Sequence, residues 1–142
     1  MPGDGEGPFP VVLILHGTHP GCPVNEIGVD AWPCDPEVEQ DNYAGFEYLV
    51  RELAARGYAA LAPNINAENT FGFGEPIPGV RLSQLLNQHL SALATAAGGG
   101  DNSFGVELKG VADMGRLALI GHSRGGEMAN YLTRKYGLDL PS

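Results

Sequence analysis

Five consecutive apolar residues, Val11-Val12-Leu13-Ile14-Leu15, run directly into His16-Gly17. A run this short and this rich in β-branched side chains predicts a strand buried on both faces, as in a parallel sheet. Residues 58–62, closed by Pro63, predict a second strand, and residues 116–120 a third. Between them the period changes. Over residues 43–56, Phe46, Leu49, Val50 and Leu53 share one face while Glu47, Arg51 and Glu52 lie elsewhere, which predicts an amphipathic helix stopped by Gly57. Residues 81–97 repeat the pattern with Leu82, Leu85, Leu86, Leu90 and Leu93, and Gly98-Gly99-Gly100 ends it. Glu127, Met128, Ala129, Tyr131 and Leu132 predict a third helix, opened by Ser123 and reaching about Tyr136.

The order is β-α-β-α-β-α. Such alternation implies an α/β fold with parallel strands, right-handed crossovers and helices on both faces of the sheet. Residues 1–9 are Gly, Pro and acidic, and read as an extended lead-in. Residues 17–42 form a long loop, and a loop of that length inside a compact domain usually carries function. Residues 64–78 read as a Gly/Asn/Pro loop without regular structure.

Composition narrows the classes. With 142 residues the chain is at most one domain, and an apolar fraction of 43% supports a packed core. The net charge of −9 disfavours nucleic acid, whose phosphates reward Lys and Arg. No apolar run is long enough to span a bilayer, and the first residues carry no targeting signal. Cys22 and Cys34 share the long loop. A disulfide between them would staple an irregular segment and place the protein in an oxidising, extracytoplasmic compartment, and we favour it. The other reading is two free buried thiols.

The candidate chemistry lies where the third apolar run ends. Gly121-His122-Ser123-Arg124-Gly125 follows Leu117-Ala118-Leu119-Ile120 and precedes the third helical pattern. Strand, G-x-S-x-G and helix in that order describe a nucleophile elbow, with Ser123 exposed above the sheet on a turn too tight for flanking side chains. A serine nucleophile needs a base and a group to orient it. Of the four histidines, His16 is expected to anchor a loop, His122 to point away and His89 to lie mid-helix. None is a good candidate for the base. Asp30, Asp35, Glu68 and Glu75 read as solvated loop carboxylates rather than metal ligands, and the sequence contains no metal cluster or cofactor motif.

Pro10 to Gly17, Cys22 with Trp32-Pro33-Cys34, Tyr48 to Tyr58, and Gly121 to Glu127 together give the chain a resemblance. From about residue 8 onward it resembles α/β-hydrolase-fold serine hydrolases, most closely secreted bacterial enzymes of platelet-activating-factor acetylhydrolase-like, chlorophyllase-like or dienelactone-hydrolase-like type. The resemblance implies a partial α/β-hydrolase fold. The three strands would be the third, fourth and fifth of eight, side by side in the order 4-3-5. It implies hydrolysis of a small carboxylic ester through an acyl-enzyme at Ser123, without a cofactor, with the backbone N–H groups of Thr18 and Arg124 as oxyanion donors. His19 would lie in the oxyanion loop, within reach of substrate. Trp32, Phe71 and Phe73 fall in loops expected near the strand C-termini, where they would wall a pocket or simply pack the loops. The family's acid and histidine follow the nucleophile in chain order. Neither maps onto a residue here, so the chain is expected to be an incomplete domain. Its outer strands would then be open to self-association or to a complementary chain. A catalytically inactive, ligand- or partner-binding fragment is the alternative.

Overall fold

The computed structural model describes residues 7–28, 30–71 and 80–136. Three parallel strands form one sheet: β1 (Phe9–Leu15), β2 (Ala59–Leu61) and β3 (Ala112–Gly121), in the order β2-β1-β3. The first strand in the chain therefore lies in the middle. Its residues Val11 to Leu15 are all buried, as a strand covered on both faces requires.

The helices follow the expected alternation, with differences of detail. A 3-10 turn (Asn42–Phe46) leads into α1 (Glu47–Ala55), which ends in a Schellman motif. Gly57 takes φ 85° there, its N–H donates to the Ala54 carbonyl, and the Tyr58 N–H donates to that of Leu53. The same device closes α3 (Val80–Ala97) at Gly99. Leu82, Leu86, Leu90 and Leu93 of α3 are fully buried with Val11, Leu13 and Leu15 of β1. Each such side chain contributes roughly 1.5–3 kcal/mol of transfer free energy. After β3 the chain turns into α4 (Arg124–Tyr131), whose Met128 and Ala129 pack on the same cluster.

The two crossovers leave β1 in opposite directions, one to β2 and one to β3. Right-handed connections therefore place α1 and α3 on opposite faces of the sheet. Val12 and Ile14 point to the α1 face, and Val11, Leu13 and Leu15 to the α3 and α4 face.

Three expectations need correction. Residues 64–78 were expected to lack regular structure, but α2 (Asn66–Phe71) begins there, braced by an ion pair between Glu68 and Arg81 at 3.3 Å. Strand β3 starts at Ala112 rather than at residue 116. Its pairing with β1 shifts register between Pro10 and Val11, and Met114, Gly115 and Arg116 bulge out. Asp113 holds that bulge by accepting from the Gly115 N–H and the Arg116 guanidinium. The last helix does not run evenly to Tyr136; from Leu132 it widens into a π-helical turn.

Candidate active site

β1 and β3 are neighbours in parallel, so their C-terminal ends meet, with Leu15 opposite Gly121. The His122 N–H donates to the Leu15 carbonyl at 3.1 Å, the last tie between the strands. Ser123 then reverses the chain. Its φ of 55° and ψ of −123° make it the one non-glycine among the described residues with a positive φ. Such backbone costs on the order of 1–3 kcal/mol and clusters at functional sites. Arg124 opens α4, and the Gly125 and Gly126 N–H groups donate to the His122 and Ser123 carbonyls.

The flanking glycines are steric requirements. A Cβ on Gly121 would collide with the Gly125 carbonyl, and one on Gly125 with the Leu15 carbonyl. Strand and helix cross too closely for a side chain at either position. The result lifts Ser123 to an exposed position at the carboxyl ends of the two strands.

Gly17 lies directly beneath. A Cβ there would sit 3.0 Å from the Ser123 Cβ and 3.1 Å from the His122 carbonyl oxygen. The structure thus brings Ser123, Arg124 and the Gly17-Thr18 step together. Thr18 is exposed, and among the described residues no acceptor meets its N–H.

His16 is 1% exposed and fully engaged. The Ile65 N–H donates to its Nε2 at 3.1 Å, so the ring proton sits on Nδ1 and donates to the Gly17 carbonyl at 2.9 Å. Burial, and then repulsion from His19, hold its pKa below the ordinary histidine value despite the Gly17 bond. It is a neutral anchor. His89 Nδ1 bonds the Leu85 carbonyl within α3. His122 is exposed, its ring tilted against Phe46 with centroids 6.2 Å apart. His19 is exposed. Among the described residues neither a histidine nor a carboxylate hydrogen-bonds the Ser123 hydroxyl.

The long loop is built by polar contacts. Cys22 and Cys34 form a disulfide. Asp30, expected to be solvated, instead accepts from the N–H groups of Gly21, Cys22 and Trp32. Trp32 packs against Gly21, and its Nε1 donates to Glu39. Glu39 also accepts from Asn64 and Asn66, and those three bonds hold its carboxyl below the usual range. The Asn66 side chain donates further to the Gln40 carbonyl and accepts from Asn42. Glu68, also expected to be solvated, pairs with Arg81. Phe71 ends α2, but its side chain lies outside the described residues, as does Phe73 altogether. Asn66, Asn69 and Glu39 escape the sequence reading. The available signal is two asparagines three apart, which share a face once the segment is helical.

Among the described residues no helix is long and apolar enough to cross a membrane, and no cluster of His, Cys, Asp and Glu could hold a metal ion. Comparison with protein-family models, with curated proteins and with solved structures gave no match to the chain.

Proposed function

We propose that this chain is the nucleophile-bearing part of an α/β-hydrolase-type serine hydrolase acting on small carboxylic esters. The observation that carries the reading is Ser123, held at φ 55° between two glycines that admit no side chain, at the end of β3 and the start of α4. A turn that stores strain and exposes a hydroxyl has chemical use and little structural use. The strand order β2-β1-β3 suits strands four, three and five of that fold.

In this mechanism the Ser123 Oγ attacks the ester carbonyl and gives its proton to a base. The tetrahedral oxyanion accepts from the N–H groups of Thr18 and Arg124, and the positive end of α4 adds to the field. Collapse breaks the bond to the leaving alcohol, which takes the proton from the base. Water then attacks the acyl-serine and restores the hydroxyl, releasing the acid. The base and its orienting acid are assigned to a complementary segment or chain, because His16 is committed to the loop. No cofactor is required. The Cys22–Cys34 bridge supports folding in an oxidising compartment.

A second reading has its own support. The absence, among the described residues, of a histidine on the Ser123 hydroxyl suits a hydrolase-like module that binds a ligand or partner without turnover. Intact-mass detection of a fluorophosphonate adduct separates the two. The serine displaces fluoride from phosphorus, so an activated Ser123 gains one phosphonyl group and Ser123→Ala gains none. An unmodified wild-type chain would sink the activation of Ser123 within this chain and leave its base to the complementary one.

A further inference from the structure

The Gly17 carbonyl is gripped from two sides. It accepts from the His16 ring at 2.9 Å and from the Asn69 side-chain nitrogen at 3.0 Å. Both donors are buried, Asn69 to 7% exposure. Asn69 is carried by α2, whose Asn69 N–H bonds back to the Ile65 carbonyl. The adjacent Ile65 N–H donates to the other edge of the His16 ring. One short segment thus holds both partners of a single carbonyl.

A trans peptide points its C=O and N–H in opposite directions. Anchoring the Gly17 oxygen towards the buried side therefore turns the Thr18 N–H outward, to the surface it shares with Ser123. Without that anchor the Gly17-Thr18 peptide could rotate, since glycine resists little. The His16 ring, held on its other edge by the Ile65 N–H, gives the carbonyl one partner from the neighbouring residue. Asn69 approaches from 52 residues away and supplies a fixed point.

We propose that Asn69 is a positioning residue: its carboxamide sets the Gly17-Thr18 peptide plane so that the Thr18 N–H is presented as an oxyanion donor. The donor role rests on the hydrolase reading above; the peptide orientation does not. Asn69→Leu keeps the volume and removes the donor. Asn69→Asp keeps the shape and sets a carboxylate against the Gly17 carbonyl.

The test uses the full chain, ¹⁵N-labelled, and follows two readouts. In both variants the Thr18 amide resonance is expected to shift and broaden, while amides of α3 stay protected as in the wild type. The rate constant for Ser123 phosphonylation at saturating fluorophosphonate should fall about tenfold or more, with little change in the half-saturating concentration, because an oxyanion donor acts in the transition state. A simple loss of packing would lower the α3 protection as well. An unchanged Thr18 amide overturns the proposal. A moved amide with an unchanged phosphonylation rate overturns the donor role. A wild-type chain that does not react overturns activation of Ser123 by this chain alone, and with it a donor role here, while the Thr18 amide still decides whether Asn69 orients the peptide.

Discussion

Gly17 and Ser123 meet face to face across the β1–β3 junction, where a methyl group on Gly17 fits only if its neighbours give by a few tenths of an ångström. A Cβ at Gly17 would lie 3.0 Å from the Ser123 Cβ and 3.3 Å from the His122 Nδ1. Gly17→Ala should therefore push the elbow away from the Thr18 N–H. The fluorophosphonate reaction is expected to slow at least tenfold, while stability drops by only about 1–3 kcal/mol, the usual cost of overpacking. Mass-resolved labelling rates and urea unfolding check the two halves separately. Equal labelling by both proteins would mean that the contact has no bearing on the serine.

Ser123→Gly should move stability and reactivity in opposite directions. Glycine adopts φ 55° without a Cβ penalty, so relief of strain outweighs its extra unfolded-state entropy. We expect a gain of about 0.5–1 kcal/mol in urea unfolding, together with complete loss of the adduct. A destabilised glycine variant would show that the Ser123 side chain holds the fold, against the reading of a strained nucleophile.

How much of this was legible in the sequence varies by the kind of force involved. Apolar periodicity located β1, α1 and α3, because burial repeats with the geometry of the element, and the G-x-S-x-G pattern marked a turn that tolerates no Cβ at either flanking glycine. The start of β3 was invisible: Asp113, Met114 and Gly115 look like a loop, and a hydrogen-bonded bulge carries them into the strand. Segment 66–71 was invisible for another reason. Its Asn66 and Asn69 are buried to satisfy carbonyls and carboxylates of distant segments, and nothing local in the chain announces such partners.

Acid should loosen the site in two stages. The folded His16 has a lowered pKa, so below its ordinary value of 6.5 the unfolded chain takes a proton that the folded chain refuses. Stability is then lost as pH falls, by at most about 1.4 kcal/mol per pH unit for one proton. Glu39 is also lowered, so its contribution is complete above its ordinary 4.5 and disappears as pH falls through the folded value. Urea midpoints should be flat from pH 8 to 7, decline below 6.5, and decline again below 4.5. Glu39→Gln should reduce the second decline, to which Asp113, held low by its bond to Arg116, also contributes, and leave the first. A midpoint unchanged down to pH 5 would contradict the buried neutral imidazole.

Opening the disulfide should cost more than the loop itself. Cys22 and Cys34 are 12 residues apart, a closure that contributes about 2–3 kcal/mol in the chain-entropy account. The double Cys→Ser variant is expected to lose that amount in urea. It should also become sensitive to proteolysis between residues 22 and 34, because the N–H groups of Gly21 and Cys22 share the Asp30 carboxylate with that of Trp32. Unchanged proteolysis after reduction would show that the Asp30 and Glu39 contacts suffice alone.

The outer side of β3 should make this chain associate. Residues Leu117 to Gly121 carry no charge, and Ile120 is 36% exposed on the face away from α3. An uncharged edge strand is a template for pairing. Sedimentation at micromolar concentration is expected to show dimers or larger species, and Ile120→Lys should shift them towards monomer. A well-folded wild-type monomer would refute the expectation.

The segment between Gly21 and Gln40 hangs from the rest of the molecule by side-chain carboxamides and carbonyls rather than by a shared apolar core. Asn42 donates to the Pro20 carbonyl, Asn66 to the Gln40 carbonyl, and the Gln40 N–H bonds back to the Gly21 carbonyl. These ties hold both ends of the loop at fixed points, while Asp30, Glu39 and the Cys22–Cys34 bridge brace what lies between them. The segment is therefore a partly replaceable cassette. Its remaining positions can be rewritten or lengthened, provided that the attachment points at its two ends, Asp30, Glu39 and the disulfide are kept.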